Sequence, residues 1–137
     1  MTIDIEPTRL ARRWILEDDT RPWTVNAERS WHFHKRAAHV RECRERFGWL
    51  ALGQQVPRLT AVKIAAVPLA KDRRGIQDVA ACLPAVKAAI DGIVDAGVID
   101  DDDPRFVHSL TFLPTQVVGR DGLRVVVTEV LSDGHES

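Results

Sequence analysis

The chain predicts an α/β fold of the α+β kind, a mixed β-sheet of about four strands with two main helices packed on it. Three observations predict it. Two long stretches, near 27–50 and 83–97, repeat apolar residues at helical spacing. Short runs rich in Val, Ile and Leu at 12–16, 59–67, 106–113 and 123–130 read as strands. Proline and glycine punctuate the joints between the two kinds of segment. At 137 residues the chain is expected to form one domain, 1–137, able to bury a core without disulfide or metal support.

In chain order, Arg12 to Leu16 (RRWIL) is a strand that stops at the acidic turn Glu17-Asp18-Asp19. Ala27 to Leu50 reads as the first helix, with Trp31, His34, Ala38, Val40 and Phe47 near helical spacing and Gly48 as its stop. Leu59 to Val67 is the second strand: Val62, Ile64 and Ala66 alternate with Ala61, Lys63 and Ala65, and Pro68 limits it. In the second helix Leu83, Val86, Ile90, Ile93, Val94 and Gly97 form the apolar stripe. Pro84 belongs to its first turn, where a missing N–H costs nothing, and Gly97 supplies a left-handed cap. Phe106 to Leu113 and Leu123 to Val130 are the last two strands, joined through Pro114 and the turn Gly119-Arg120-Asp121-Gly122. Residues 132–137 read as a frayed polar tail.

Composition narrows the function. The formal net charge is −1, which argues against a globally basic nucleic-acid binder but leaves local patches open. No apolar run approaches the ~20 residues needed to cross a bilayer, and MTIDIEPTRL lacks the basic-then-apolar layout of a signal peptide. Cys43 and Cys82 are isolated, so neither a disulfide framework nor a zinc spacing is visible, and a reducing, cytoplasmic setting is expected. His32, His34 and His39 do not share the i, i+4 spacing that a helical metal site requires. With Arg29, Lys35, Arg36, Arg41, Arg44 and Arg46 they form a basic helical face, suited to phosphate or simply to water. Trp31 and Trp49 are expected as core or dimer contacts.

The chemistry-bearing segment runs from Arg73 to Val107. It places Asp78 before a helix, Lys87 within it and Asp100-Asp101-Asp102-Asp103 just beyond its end, so carboxylates from both helix ends are able to converge. Carboxylate oxygens are Mg²⁺ ligands, and two or three suffice because the ion keeps several waters. Phosphodiester hydrolysis needs an activated water, neutralisation of added phosphate charge and a stabilised leaving oxygen, all within the reach of such a site. Lys87 would add a point charge at the phosphate. Plainer roles stand beside these. Asp78 has the position of a helix cap, the acidic run that of a solvated turn before Pro104, and Lys87 pairs in sequence with Asp91 four residues on.

These residues resemble the RusA family of Holliday-junction resolvases over residues 73–130, with a core match of about 58–130 and a weak one over 1–57. The family pattern is Arg-Asp-x-Asp-Asn, a helical Lys, then Asp-Ala-Gly followed by paired aspartates. Here Asp78, Lys87, Asp95-Ala96-Gly97 and Asp101-Asp102 match it. Gln77 stands where the family has Arg, and Ala80 and Ala81 stand where it has the second Asp and the Asn.

The resemblance implies a Mg²⁺-dependent endodeoxyribonuclease, with Mn²⁺ as the alternative ion, that acts on four-way junctions and other branched DNA in recombination or repair. It implies a homodimer, whose two-fold symmetry would present two equivalent sites to two equivalent phosphates. Asp78, Lys87 and Asp102 are the implied catalytic residues. Asp78, Asp101, Asp102 and Asp103 are the implied metal ligands, with the register of the four-aspartate run open by one residue. Lys71, Arg73, Arg74 and Asn26 are the implied DNA contacts, Asn26 by analogy with a Pro-rich, Asn-containing loop. The competing expectation is a RusA-fold relative that binds branched DNA, or serves as an interaction module, without cutting it. A third is a small α/β structural protein in which the matched positions coincide by chance.

Overall fold

A computed structural model describes residues 11–131, so the readings made on MTIDIEPTRL and on the 132–137 tail lie outside the described residues. The elements run β1 (Arg13–Glu17), α1 (Val25–Arg29), α2 (Phe33–Gly53), β2 (Val62–Ala70), a 3₁₀ turn (Arg73–Gly75), α3 (Leu83–Asp95), β3 (Val107–Phe112), β4 (Gln116–Val117) and β5 (Gly122–Glu129). The mixed sheet is present, with five strands among the described residues rather than about four, because two residues of the β3–β5 connection pair with the end of β2.

The strand order is β1-β5-β2-β3, with β4 continuing beside β2. β2 is the central strand. It runs antiparallel to β5 and parallel to β3, and the parallel step is bridged by α3, the crossover that parallel pairing demands. One face carries the alternate residues Leu16, Ile64, Ala66, Val125 and Val127, all at most 1% exposed and gathered into the core with residues of α2 and α3. The intervening positions Ile15, Lys63, Ala65 and Val126 are more open, as expected of a sheet with one solvated face.

Three sequence expectations change. β2 passes through Pro68 and ends at Ala70 instead of stopping at Val67. The carbonyls of Ala66 and Ala70 accept from Leu113 and Val118, so even-numbered residues of β2 face the β3/β4 side. Pro68 shares that side and falls where β3 has ended and β4 has not begun, so no ladder bond needs its missing N–H.

The first helix divides in two. Thr24 caps α1, its hydroxyl accepting from Ala27 N–H at 3.2 Å, and Ser30 closes it, with Oγ donating to the Ala27 carbonyl at 2.9 Å. α2 then starts after His32 and continues through Gly48 to Gly53. Gly48 is therefore no stop. It lies against Gly92 of α3, where a Cβ on Gly92 would sit 2.1 Å from the Arg44 carbonyl and 2.9 Å from Gly48 N. The two glycines let the helix backbones touch.

The third change is in α3. Pro84 does lie in its first turn and Gly97 does adopt φ +84°, but Leu83 and Gly97 are exposed. Ala85, Ala88, Ala89 and Gly92 widen the buried stripe instead, because α3 is pressed between α2 and the sheet. Of the tryptophans, Trp31 packs against the core beside Trp23 and His39, whereas Trp49 is 73% exposed and is not a core residue.

Candidate functional site

The loop between β2 and α3 opens with Lys71, whose backbone N–H is held by the Asp121 carboxylate at 3.0 Å. Asp72 accepts from Arg74 N–H and starts the 3₁₀ turn, which leaves Lys71, Arg73 and Arg74 exposed on one loop. None of the three side chains has an ion-pair partner among the described residues, so the loop presents free positive charge.

Next in the chain, Gln77 is buried. Its backbone N–H donates to Thr115 Oγ1 and its Nε2 donates to the Pro22 carbonyl at 2.9 Å. Its Oε1 is buried without a partner. Gln77 thereby ties three loops together, a role the sequence did not signal. It also fixes the start of the segment that carries Asp78.

Asp78 is exposed and begins a tight turn in which its carbonyl accepts from Ala81 N–H at 3.0 Å. It is not the cap of α3: that position is Cys82, which makes no side-chain cap bond. Ala80, between them, has φ +67°. That left-handed backbone suits Gly, Asn or Asp better than Ala. The Ala81 carbonyl accepts from Val25 N–H at 2.9 Å, which seats the start of α1, and with it Asn26, beside the loop that leads into α3. Asn26 Oδ1 meets Arg29 on the next turn, at 3.5 Å.

Past Gly97, the four aspartates separate by task. Asp100 forms an ion pair with Arg58. The Asp101 carboxylate accepts from Asp102 N–H at 2.8 Å. Asp103 is paired with Arg105 at 2.8 Å, and the bonds that Arg105 donates hold its carboxyl below the usual range. Asp102 is the one that lines a cleft with Lys87, together with Leu83, Ile90, Val107 and Leu110. This cleft, of ≈ 360 Å³, lies between α3 and β3. It brings together the helical lysine and the aspartate 15 positions after it.

Asp91, one turn beyond Lys87, is the second carboxylate near this cleft. Burial holds its carboxyl above the usual range, Asp102 and Asp95 add to the rise, and Arg44 and Lys87 oppose it. Asp95 is differently placed: the Arg44 guanidinium donates two bonds to it and holds it low. Asp91 was legible only as the partner of Lys87; its half-buried place beside Asp102 depends on how the post-helix turn folds back.

The donor chemistry suits Mg²⁺ to a limited degree. Asp102 and Asp91 offer carboxylate oxygens near one cationic side chain, and one or two carboxylates can hold an ion that keeps its waters. Among the described residues no three acidic, His or Cys side chains converge into a closed metal group. Asp78 is not among the residues that line the cleft of Lys87 and Asp102, and Asp101 and Asp103 have the local partners described. The described histidines gather no metal group either: His39 stacks on Trp31 at 4.2 Å between ring centres and the His32 ring centre lies 5.5 Å from that of His34.

No helix among the described residues is long and apolar enough to cross a membrane. Comparison with known proteins finds no family and no curated sequence that matches this chain.

Proposed function

We propose that this chain is a RusA-like, Mg²⁺-dependent endodeoxyribonuclease of the cytoplasm that acts on branched DNA, four-way junctions included, as a homodimer. The observation that carries the reading is that Lys87 and Asp102, two residues that the family pattern pairs, line one cleft, Asp102 being brought to it by the turn after Gly97. Lys87 supplies a fixed positive charge to a phosphate oxygen as charge accumulates there. In this reading Asp102 orients a water towards the phosphorus and receives its proton. Leu83, Ile90 and Val107 form the apolar side of the cleft, while Lys87 and Asp102 themselves are open to solvent, within reach of a DNA phosphate. Mg²⁺ held by Asp102 with Asp91 would add charge neutralisation and a more acidic bound water. Lys71, Arg73 and Arg74, with Asn26 beside the following loop, track the DNA backbone.

A second reading is favoured by Ala80 and Ala81, which stand where the family has an acid and an amide, and by the absence of a closed three-ligand group among the described residues. In it the chain binds junctions without cutting them.

One experiment separates the two. A labelled synthetic four-way junction is incubated with purified protein in Mg²⁺, Mn²⁺ or EDTA, alongside Asp102→Ala and Lys87→Met. The expected result is paired, metal-dependent nicks that fall at least about 100-fold in either variant, with junction binding retained. Tight binding with no nicks selects the second reading. In that case Ala80→Asp combined with Ala81→Asn is expected to restore cutting, since Asp tolerates the left-handed backbone at position 80 at least as well as Ala. Neither binding nor cutting by any form overturns both.

A further inference from the structure

We infer that the outer face of α2 is the interface on which two copies of this chain pair, antiparallel and about a two-fold axis through the middle of the helix. The inference rests on the homodimer reading above but locates it where the family resemblance is silent. α2 spans 21 residues, about 30 Å of helix, and its midpoint is Cys43, whose own side chain points inward to the Ala85 carbonyl. The solvent side carries Ala37, Arg41, Glu45, Trp49 and Leu52, all exposed, with Trp49 at 73% and Leu52 at 54%. Trp49 and Leu52, three residues apart, put an indole and a leucine side by side on this exposed helix face, an apolar surface available to a partner.

The order of residues along this face is self-complementary. With two α2 helices antiparallel about residue 43, Arg41 meets the partner's Glu45, and the same pair recurs across the axis. Neither Arg41 nor Glu45 has an ion-pair partner among the described residues of its own chain. The same arrangement puts the partner's Trp49 opposite Ala37. Around Ala37 the surface is concave: Phe33, Arg36, Val40, Arg41 and Arg44 line a groove of ≈ 370 Å³ with it. A small residue on an apolar floor, flanked by guanidinium groups, is the complement of an indole, through burial and through cation–π contact. Parallel pairing would instead set Arg41 against the partner's Arg41. Charge and size therefore both choose the antiparallel two-fold, an isologous and closed contact.

The test is the oligomeric state of the full chain by sedimentation equilibrium across a concentration series. The expected result is a dimer whose dissociation constant rises at least about 10-fold in Trp49→Ala, a central aromatic anchor. Arg41→Glu is expected to weaken it comparably by facing two acids across the axis. The double swap Arg41→Glu with Glu45→Arg is expected to recover wild-type affinity to within about threefold, which a folding defect or a remote interface would not reproduce. A monomer at all concentrations overturns the proposal, as does a dimer indifferent to all three variants. Trp49 fluorescence that responds to junction DNA while the chain stays monomeric overturns it in favour of a DNA-binding face. A dimer located elsewhere leaves the nuclease reading standing, because that reading is decided by cleavage and by Asp102.

Discussion

At the scale of single residues, Asp91 shows how position overrides type. It is an ordinary helix-surface aspartate by sequence, yet burial beside Asp102 lifts its carboxyl above the usual range. The folded state thus holds this proton to higher pH than the unfolded chain does. The contribution of Asp91 to stability therefore falls as pH rises from the unfolded carboxyl value through the raised folded one, and is unfavourable at neutrality. Asp91→Asn is expected to stabilise the fold at pH 7 by less than about 1 kcal/mol, given its partial exposure and the opposing pull of Arg44. Chemical denaturation at pH 7 and at pH 3.5 checks this, and the advantage of the variant should vanish at the lower pH. An unchanged gap would remove charge burial as the cause. Asp18 follows the same logic more deeply in the fold: burial raises it although Leu123 N–H and Arg46 both donate to it. Asp102 and Lys87 were legible as candidates through the resemblance of residues 73–130 to the family pattern. The choice of Asp102 over its three neighbours was not, because a run of four identical residues offers no register until Arg58, Arg105 and the Asp102 N–H occupy the others.

At the scale of elements, the backbones of α2 and α3 come closest where Gly48 lies against Gly92. Gly48 reads as a stop by local rules, and no local rule distinguishes a stop from a close crossing. Adding one methyl at Gly92 would force its Cβ to within 2.1 Å of the Arg44 carbonyl, a backbone atom that cannot step aside. Gly92→Ala is expected to cost about 2–4 kcal/mol despite the better helix propensity of alanine, and Gly53→Ala, where a Cβ meets nothing, should be close to neutral. Urea midpoints of the two variants test the contrast. Equal midpoints would mean that α2 and α3 do not touch at this crossing. The strands and α3 were legible because each keeps its period for several residues. The α1/α2 break was hidden because apolar spacing continues across Ser30, Trp31 and His32, although Thr24 carried a usable cap signal.

At the scale of the whole molecule, charge is balanced in number but not in place. The net charge of −1 conceals a loop with Lys71, Arg73 and Arg74 all free of ion pairs among the described residues, while many of the acids are consumed locally. Binding to a four-way junction is therefore expected to weaken linearly in log–log form with salt, with a slope that drops by about 2 in the double variant Arg73→Gln with Arg74→Gln. A flat response, or a slope untouched by the two substitutions, would count against this loop as the DNA contact. Fluorescence anisotropy with a labelled junction at several salt concentrations measures it.

The sequence by itself determined the mixed sheet, the two long helices, the proline and glycine of α3, and the short list of acidic and basic residues from which the candidate site is drawn. These are properties of neighbours in the chain: period, caps, turn residues and side-chain type act over a few positions and need no knowledge of the rest. Tertiary structure decided which aspartate faces Lys87, why Pro68 lies inside a central strand, what Gln77 holds together and which tryptophan stays outside. Each depends on a surface brought from far along the chain: the gap between β3 and β4 for Pro68, the Pro22 and Thr115 loops for Gln77, and the turn after Gly97 for Asp102. Burial and electrostatic partnership are relations between distant segments, and they acquire values only when the sheet and the helix layer close on each other.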